Sequence, residues 1–175
     1  MNQIRPATRD ELFARLAELG IETQTTEHEA VFTVAQSSVL ERDLPGGHTK
    51  NLFLKCKKGR LFLIVALNNA VIPLKNLHKM LGSGRLSFGK PDLLLDVLGV
   101  TPGSVTPFAL INDRQKRVSV ILDAPMMALD RLNFHPLENT ATTNISSADL
   151  ARFIRSCGHE PLVLQVSEET THMEG

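Results

Sequence analysis

Seven consecutive apolar residues, Leu61–Leu67, place the strongest constraint on how this chain folds. Strands that are buried on both faces consist of such unbroken runs of Leu, Ile, Val and Phe, whereas half-exposed strands alternate apolar and polar residues. Residues 51–57 form a second strand-like run, and Lys58 and Gly59 lie between the two. The pattern therefore predicts a β-hairpin whose second strand has both faces covered.

Helix signals and further strand-like runs surround this hairpin. Thr8 and Glu11 stand at capping-box spacing before three leucines on one face, which predicts a helix from Thr8 to Leu19. Glycine follows two more predicted helices, 74–81 and 91–98, where a helix C-terminus favours it. The other predicted elements are a strand end turning into a short helix at 31–40, a loop at 43–48, a helix at 148–157, and strands at 22–28, 108–112, 118–122 and 162–166. We expect the runs 108–112 and 118–122 to pair as a second hairpin.

The chain length and the order of the elements favour one domain. A chain near 175 residues buries roughly 70% of its unfolded surface on folding, and no repeat or linker divides this one. Because hairpins are mixed with helices, we predict an α/β (α+β) fold, a single compact domain with a mixed β-sheet flanked by helices. We expect residues 1–166 to form this domain and residues 167–175 to be a disordered tail.

The composition also bounds the compartment. The longest apolar run is far shorter than the ~20 residues of a membrane-spanning helix. The charged N-terminal segment lacks the apolar stretch of a signal peptide. Cys56 and Cys157 lie far apart without metal-binding spacing, which is typical of a reducing compartment. We therefore predict a cytoplasmic protein without a membrane partner.

The positive and negative charges balance over the whole chain but not within its segments. Lys+Arg and Asp+Glu both number 19, yet residues 48–117 hold 12 basic and 3 acidic side chains, a net charge of +9. Local charge of this size attracts polyanions such as a nucleic acid backbone, although a solvated lysine-rich surface is the plainer alternative. The lack of Trp and Tyr argues against a platform that stacks single-stranded bases.

Common catalytic motifs are missing from the sequence. It has no GxSxG nucleophile elbow, no GxxxxGK(S/T) phosphate loop, no GxGxxG dinucleotide fingerprint and no HExxH zinc motif. The six histidines stand at irregular spacing, so we predict no metal site and no cofactor.

Three segments carry candidate functional residues. Residues 46–51 (GGHTKN) present Lys50 from a flexible loop at the mouth of a strand. Residues 102–107 (PGSVTP) form irregular backbone whose N–H and C=O groups can bind an amino group or an oxyanion. Residues 134–139 (FHPLEN) place His135 before a proline, which favours an extended backbone at the histidine. Each has a structural alternative, namely a solvated lysine, a tight connection and a histidine bonded to the core.

Together these segments resemble the YbaK/prolyl-tRNA editing domain family, the free-standing relatives of the editing domain inserted in bacterial prolyl-tRNA synthetases. The resemblance extends from Thr8 to Leu164 and rests on five strings in order: LGIETQTTEHEAVFTV, GGHTKNLFLKCKKG, LGSGRLSFG, LGVTPGSVTPFALIND and NFHPLENTATTNISSADLARF. The strings RLSFG, SVTPFALIND and HPLENTATT are most similar to the ProX branch, the free-standing Ala-tRNA(Pro) deacylases. The resemblance implies a compact α/β domain without a metal, and an enzyme that hydrolyses the ester joining a mischarged alanine to proline tRNA.

The resemblance also implies the site residues. The lysine of the family corresponds to Lys50, with Asn51 beside it, and the pocket histidine corresponds to His135. The GxxxP loop corresponds to Gly103, Ser104, Val105, Thr106 and Pro107. In the family pattern Lys50 positions the terminal adenosine and its phosphate, and the loop backbone fixes the aminoacyl group. A water then attacks with help from the adenosine 2′-hydroxyl, without a covalent protein nucleophile.

The identity of the amino acid removed depends on the pocket. A pocket sized for alanine excludes the larger proline sterically, and Val34, Leu52 and the GxxxP loop are its candidate walls. The same chemistry on Cys- or Ser-charged tRNA is one alternative, and a non-catalytic module that binds tRNA or a synthetase is another. The expected partners are the acceptor end of acylated proline tRNA and prolyl-tRNA synthetase, and we expect a monomer.

Overall fold

The structure, a computed structural model, describes residues 5–30 and 44–168 of the chain. The helices are α1 (Arg9–Glu18), α2 (Leu74–Leu81), α3 (Pro91–Leu98), α4 (Ala124–Met127) and α5 (Ser147–Ser156). The strands are β1 (Gln24–Glu27), β2 (Gly47–Cys56), β3 (Leu61–Leu67), β4 (Leu86–Phe88), β5 (Val118–Asp123), β6 (Arg131–Phe134), β7 (Ala141–Ser146) and β8 (Leu162–Leu164). The predicted element at 31–40, the pocket candidate Val34 and residues 169–175 lie outside the described residues.

One mixed sheet of eight strands organises the described residues. Its strand order is β1-β7-β6-β2-β3-β5-β8, and β4 pairs with the C-terminal end of β2. The pairs β2–β6, β3–β5 and β5–β8 are parallel, whereas β1–β7, β6–β7, β2–β3 and β2–β4 are antiparallel. The predicted α/β domain with a mixed sheet and flanking helices is confirmed.

Strand β3 is covered on both faces, as its apolar run predicts. Leu61, Leu63 and Val65 belong to a larger core that also contains leucines of α1, α3 and α5. Phe62 and Ile64 belong to a smaller core on the opposite face, together with residues of α2 and the C-terminal segment. This burial of apolar surface on both sides fixes the central strand of the sheet.

The helix ends follow their sequence signals. At α1, the Thr8 hydroxyl accepts the N–H of Glu11 at 3.2 Å, and the Glu11 carboxylate accepts the N–H of Thr8 at 2.9 Å. The predicted capping box is therefore confirmed. Gly82 and Gly99 end α2 and α3 in the left-handed region, with φ of 64° and 68°. No helix in residues 5–30 and 44–168 has the length and hydropathy that crossing a bilayer would require.

Residues 108–112 were predicted as a strand, and this prediction is wrong. Pro102–Ser104 and Pro107–Asn112 are 3-10 helices. Pro107 begins the second of them because its ring fixes φ and it lacks an N–H, and the Thr106 hydroxyl accepts the N–H of Phe108 at 3.3 Å. The second hairpin is wrong as well, since β5 lies between β3 and β8 and runs parallel to both.

Candidate functional site

Lys50 lies within strand β2, so its predicted place on a flexible loop is wrong. Lys50 pairs with Ala66 of β3, and β2 already begins at Gly47. A Cβ at Gly47 would lie 2.7 Å from the end of the Leu129 side chain, so a larger residue there would require this side chain to move. Strand β3 therefore holds the backbone of Lys50 along one edge, and β6 pairs with β2 just before it, at Gly47 and His48.

The Lys50 side chain is half-buried, and its ammonium donates a hydrogen bond to the backbone carbonyl of Ala70. Among the described residues, no carboxylate forms an ion pair with it. A carbonyl oxygen compensates an ammonium only in part, because it carries no full charge. The Lys50 charge is therefore available to an anionic ligand such as a phosphate.

The alternation of strand side chains separates Lys50 from Asn51. Leu52 packs against the smaller core, so it shares a face of β2 with Lys50, two residues away. Asn51 points to the opposite face with Phe53, which belongs to the larger core. The Asn51 side-chain oxygen is buried and has no hydrogen-bond partner among the described residues. The two neighbours predicted for one site thus serve opposite faces of the sheet.

The GxxxP loop, residues 103–107, combines buried side chains with accessible backbone. Ser104 and Thr106 are buried, Val105 is half-buried against the larger core, and Gly103 is exposed. The N–H of Ser104 is donated to the backbone carbonyl of Thr101 within the turn, and Pro107 has no N–H group. The backbone donors that the loop can offer a substrate are therefore those of Gly103, Val105 and Thr106.

His135 directly follows β6 and is half-buried. Its Nδ1 lies 2.9 Å from the carbonyl oxygen of Ala141, which can only accept, so Nδ1 carries the proton. Burial lowers the pKa of His135, the hydrogen bond to Ala141 opposes this, and the nearby His28 lowers it further. The ring is therefore neutral near pH 7, with Nε2 as an unprotonated acceptor.

The segments that carry the predicted residues make contact with one another near β6. The Thr49 hydroxyl of β2 donates to the Asn133 carbonyl at 2.6 Å. The rings of Phe108 and Phe134 meet edge to face with centroids 5.9 Å apart. A Cβ at Gly103 would lie 3.2 Å from the side-chain nitrogen of Asn139. The strand of Lys50, the GxxxP loop and the His135 segment are thus neighbours. Among the described residues, Lys50 makes no hydrogen bond to either of the other two.

Two arrangements of side chains, one of histidines and one of asparagines, could not be predicted from the sequence. The ring of His28 lies 6.3 Å from that of His135, and its Nε2 bonds the Thr142 hydroxyl at 2.8 Å. Asn133 donates to the carbonyls of Pro45 and Gly47 and accepts from Asn144, so the two amides hold the segment before Lys50. Isolated His and Asn residues carry no spacing signal, because these contacts join distant parts of the chain.

An open cavity of about 1280 Å³ lies beside this site. Its lining includes Thr142, Asn133, Asn144 and the segment 44–47, but not Lys50, His135 or the GxxxP loop. It therefore adjoins the predicted site through the amides and through the hydroxyl that His28 contacts. No group of three or more His, Cys, Asp or Glu side chains in the described ranges is arranged to hold a metal ion.

Basic side chains gather at the far end of the same hairpin. Lys57, Lys58 and Arg60 are exposed at the β2–β3 turn. Arg114 to Arg117 are exposed nearby, since Val118 pairs with Leu61 at the same end of the sheet. Lys57 lies seven positions after Lys50, a span of about 23 Å along a strand. The Lys50 ammonium and this basic cluster are therefore at opposite ends of the hairpin.

Comparisons with known proteins agree with this architecture. The model of the aminoacyl-tRNA editing domain family matches residues 28–153. The chain is 39% identical to the prolyl-tRNA synthetase associated domain-containing protein 1 of Danio rerio over 158 residues, covering 89% of this chain and 86% of that protein. It is 34% identical to the prolyl-tRNA editing protein ProX of Acetoanaerobium sticklandii, covering 85% and 91%. A crystal structure described as a putative trans-editing enzyme for prolyl tRNA synthetase superposes with a TM-score of 0.71 at 16% identity, covering 92% of this chain and 97% of the other.

Proposed function

The chain belongs to the aminoacyl-tRNA editing domain family, and we propose that it is a trans-editing hydrolase that removes alanine from mischarged Ala-tRNA(Pro). The observation that carries the proposal is the Lys50 ammonium. It is half-buried, held by one backbone carbonyl, without a carboxylate partner in the described residues, and on a strand that borders the His135 segment. A cation held in this way fits the phosphate of a terminal adenosine.

The reaction proposed is ester hydrolysis by a positioned water. The water oxygen attacks the carbonyl carbon of the alanyl ester and gives a tetrahedral oxyanion, which N–H groups of the GxxxP loop stabilise. The bond from this carbon to the ribose oxygen then breaks, and a proton moves from the attacking water to the ribose oxygen through the neighbouring 2′-hydroxyl. The products are alanine and tRNA with a free terminal ribose. Positioning alone can lower such a barrier by about 7 kcal/mol or more.

His135 is suited to orient the amino group of the substrate. Its Nδ1 proton is engaged by Ala141, so Nε2 can accept a hydrogen bond from the α-ammonium. The lowered pKa keeps this ring neutral and avoids repulsion between two cations. We therefore assign His135 a binding role rather than that of a general base.

The remaining substrate contacts are assigned by position. Val105, half-buried in the GxxxP loop against the larger core, is proposed as a pocket wall that excludes proline. Leu52 stays a prediction, because it packs against the smaller core on the opposite face of the sheet. Val34 stays a prediction, since it lies outside the described residues. Asn51 is proposed as a substrate contact through its side-chain oxygen, which is buried and has no hydrogen-bond partner in residues 5–30 and 44–168.

The exposed lysines at the hairpin turn support a partner that is a polyanion. A nucleic acid strand that begins at Lys50 reaches them about 23 Å away, beyond its terminal nucleotide. The proposed partner is therefore the acceptor end of proline tRNA, supplied in mischarged form by prolyl-tRNA synthetase.

The first experiment measures deacylation of Ala-tRNA(Pro), Cys-tRNA(Pro), Ser-tRNA(Pro) and Pro-tRNA(Pro) by the wild type and by Lys50→Ala. We expect loss of alanine alone, and a fall of kcat/KM by at least about 100-fold in the variant. Lys55→Ala removes one charge from the same strand and is the matched control. It is expected to change KM without lowering kcat.

Each outcome of this experiment decides between specific alternatives. Loss of cysteine or serine instead of alanine would transfer the proposal to another substrate. Retained tRNA binding without any turnover by the wild type would favour a non-catalytic module. His135→Ala should weaken activity less than Lys50→Ala, and the reverse order would exchange the roles assigned to the two residues.

A further inference from the structure

A second charged residue, Asp123, lies in the cross-strand row of Lys50. Lys50 pairs with Ala66, and the parallel register of β3 and β5, in which Val65 pairs with Leu122, places Asp123 next to Ala66. Side chains paired across neighbouring strands point to the same face. Two strand spacings put the Cα atoms of Lys50 and Asp123 about 10 Å apart, with one alanine methyl between their side chains.

The Asp123 carboxylate is fully buried, and in the described residues only one of its two oxygens accepts hydrogen bonds. Its Oδ1 accepts the N–H groups of Val166 at 2.9 Å and Ser167 at 3.2 Å. Its Oδ2 is buried and has no hydrogen-bond partner among the described residues. A buried carboxylate oxygen without a partner is costly, so a nearby cation on the same face stabilises it.

Asp123 also reaches Lys50 through the backbone. Next to the N–H groups that it holds, Glu168 donates its N–H to the Val71 carbonyl at 2.8 Å. Ala70 precedes Val71 and supplies the carbonyl that binds the Lys50 ammonium. The segment 166–168 therefore ties the carboxylate to the carbonyl on which Lys50 rests.

We propose that Asp123 is a positioning residue for Lys50. Its buried carboxylate holds the Ala70 carbonyl in place through segment 166–168, and its charge keeps the ammonium in this row of the sheet. The link from this arrangement to turnover rests on the proposed function, whereas the arrangement itself does not.

Asp123→Asn tests this role because it keeps an acceptor oxygen for Val166 and Ser167 but removes the charge. Acylation of the folded protein with acetic anhydride at fixed pH, followed by peptide mass spectrometry, measures how far Lys50 is protected relative to the exposed Lys75. We expect Lys50 to react at least about three-fold faster in the variant, since an attracting charge is lost. For Ala-tRNA(Pro), kcat should fall at least about ten-fold with little change in KM.

Asp113→Asn is the matched control, because Asp113 is also a buried carboxylate that binds backbone N–H groups but lies at the opposite end of β5. It should leave the reactivity of Lys50 unchanged at a temperature where the variant is folded. Unchanged Lys50 reactivity in folded Asp123→Asn would overturn the proposal. Changed reactivity with no deacylation by the wild type would instead overturn the proposed function and leave the positioning role standing.

A second pair of variants covers the case in which Asp123→Asn does not fold. Glu168→Pro removes the N–H that binds Val71, whereas Glu168→Ala keeps it and alters only an exposed side chain. Faster acylation of Lys50 in the proline variant alone would support the tie through segment 166–168. Equal reactivity in both folded variants would refute it.

Discussion

Replacing Asp113 by asparagine should destabilise the fold by an amount that its hydrogen bonds determine. Asp113 is 3% exposed and lies between the second 3-10 helix and β5. Its Oδ1 accepts the N–H of Arg117 at 3.0 Å. Its Oδ2 accepts the N–H of Val118 at 2.9 Å and bonds the Nε2 of His159 at 2.8 Å, where an ionised carboxylate requires the histidine to donate.

The magnitude follows from the single acceptor oxygen of an amide. In Asp113→Asn, whichever way the amide turns, its NH₂ group faces at least one of these donors. The loss of one hydrogen bond to a charged acceptor, together with this clash, costs about 2–3 kcal/mol. For a chain of this size the melting temperature should therefore fall by about 4–12 °C. The control is Asp96→Asn, since Asp96 pairs with the exposed Arg117 side chain at the surface and should contribute less than about 1 kcal/mol.

Thermal unfolding followed by circular dichroism at pH 7 measures the loss of stability, and the same measurement at lower pH tests whether it depends on the ionised Asp113 carboxylate. Burial acts to raise the pKa of Asp113, but the hydrogen bonds from His159 and from the two backbone N–H groups outweigh burial and lower it. The stabilisation is therefore complete above the unfolded pKa of about 3.9 and is lost as pH falls through the lower folded value. A variant that melts within about 2 °C of the wild type at pH 7 would refute this account.

Three further predictions test the site and its surroundings. The acid limb of the pH profile of kcat/KM should lie below 6.5, because burial lowers the pKa of His135 and protonation of the ring removes the Nε2 acceptor. An acid limb at or above that value would contradict the role of a neutral His135. Gly46→Ala should lower the free energy of unfolding, measured in urea, by at least about 1 kcal/mol, because Gly46 has φ of 95° and a Cβ there would lie 2.9 Å from the Asn144 amide. Unchanged stability would show that the segment around Gly46 shifts freely. Lys58→Ala should raise KM for Ala-tRNA(Pro) and lower the salt slope of tRNA binding by about one, with kcat retained; an unchanged slope would place the tRNA elsewhere.

The elements that the sequence predicts well are those whose signals are local. The run Leu61–Leu67 has no polar residue that could face solvent, so a strand buried on both faces is the structure that accommodates it. Helices α2 and α3 end where predicted because Gly82 and Gly99 adopt the left-handed conformation that stops a helix. In these cases neighbouring residues along the chain decide the outcome.

The errors arise where distant residues decide. Residues 108–112 have the composition of a strand, but Phe108 packs against Phe134 and Phe153, which favours a compact 3-10 turn inside the larger core. Strand β6 gives little signal because it is four residues long and contains Asn133, whose amide partners, Pro45 and Gly47, lie more than 80 positions earlier. Such contacts have no counterpart in the local pattern.

In the candidate site, too, the sequence predicts some features and not others. The family resemblance that the motifs indicate is confirmed by the match over residues 28–153. Its assignments of Lys50, His135 and the GxxxP loop stay predictions, which the contacts of Thr49, Phe108 and Gly103 support by making their segments neighbours. The opposite faces of Lys50 and Asn51 could not be predicted while Lys50 was expected on a loop. A loop has no two-residue periodicity.

The position of Lys50 is coupled to the register of the sheet. A slip of β2 by one residue against β3 would exchange the faces of all its side chains. Lys50 would then enter the larger core, away from the Ala70 carbonyl and the Asp123 row, and Phe53 would leave that core. Burying an ammonium without a partner costs far more than a misplaced apolar residue. Lys50 therefore disfavours the slipped pairing, and the residue proposed to bind the substrate also helps to specify the strand register that places it.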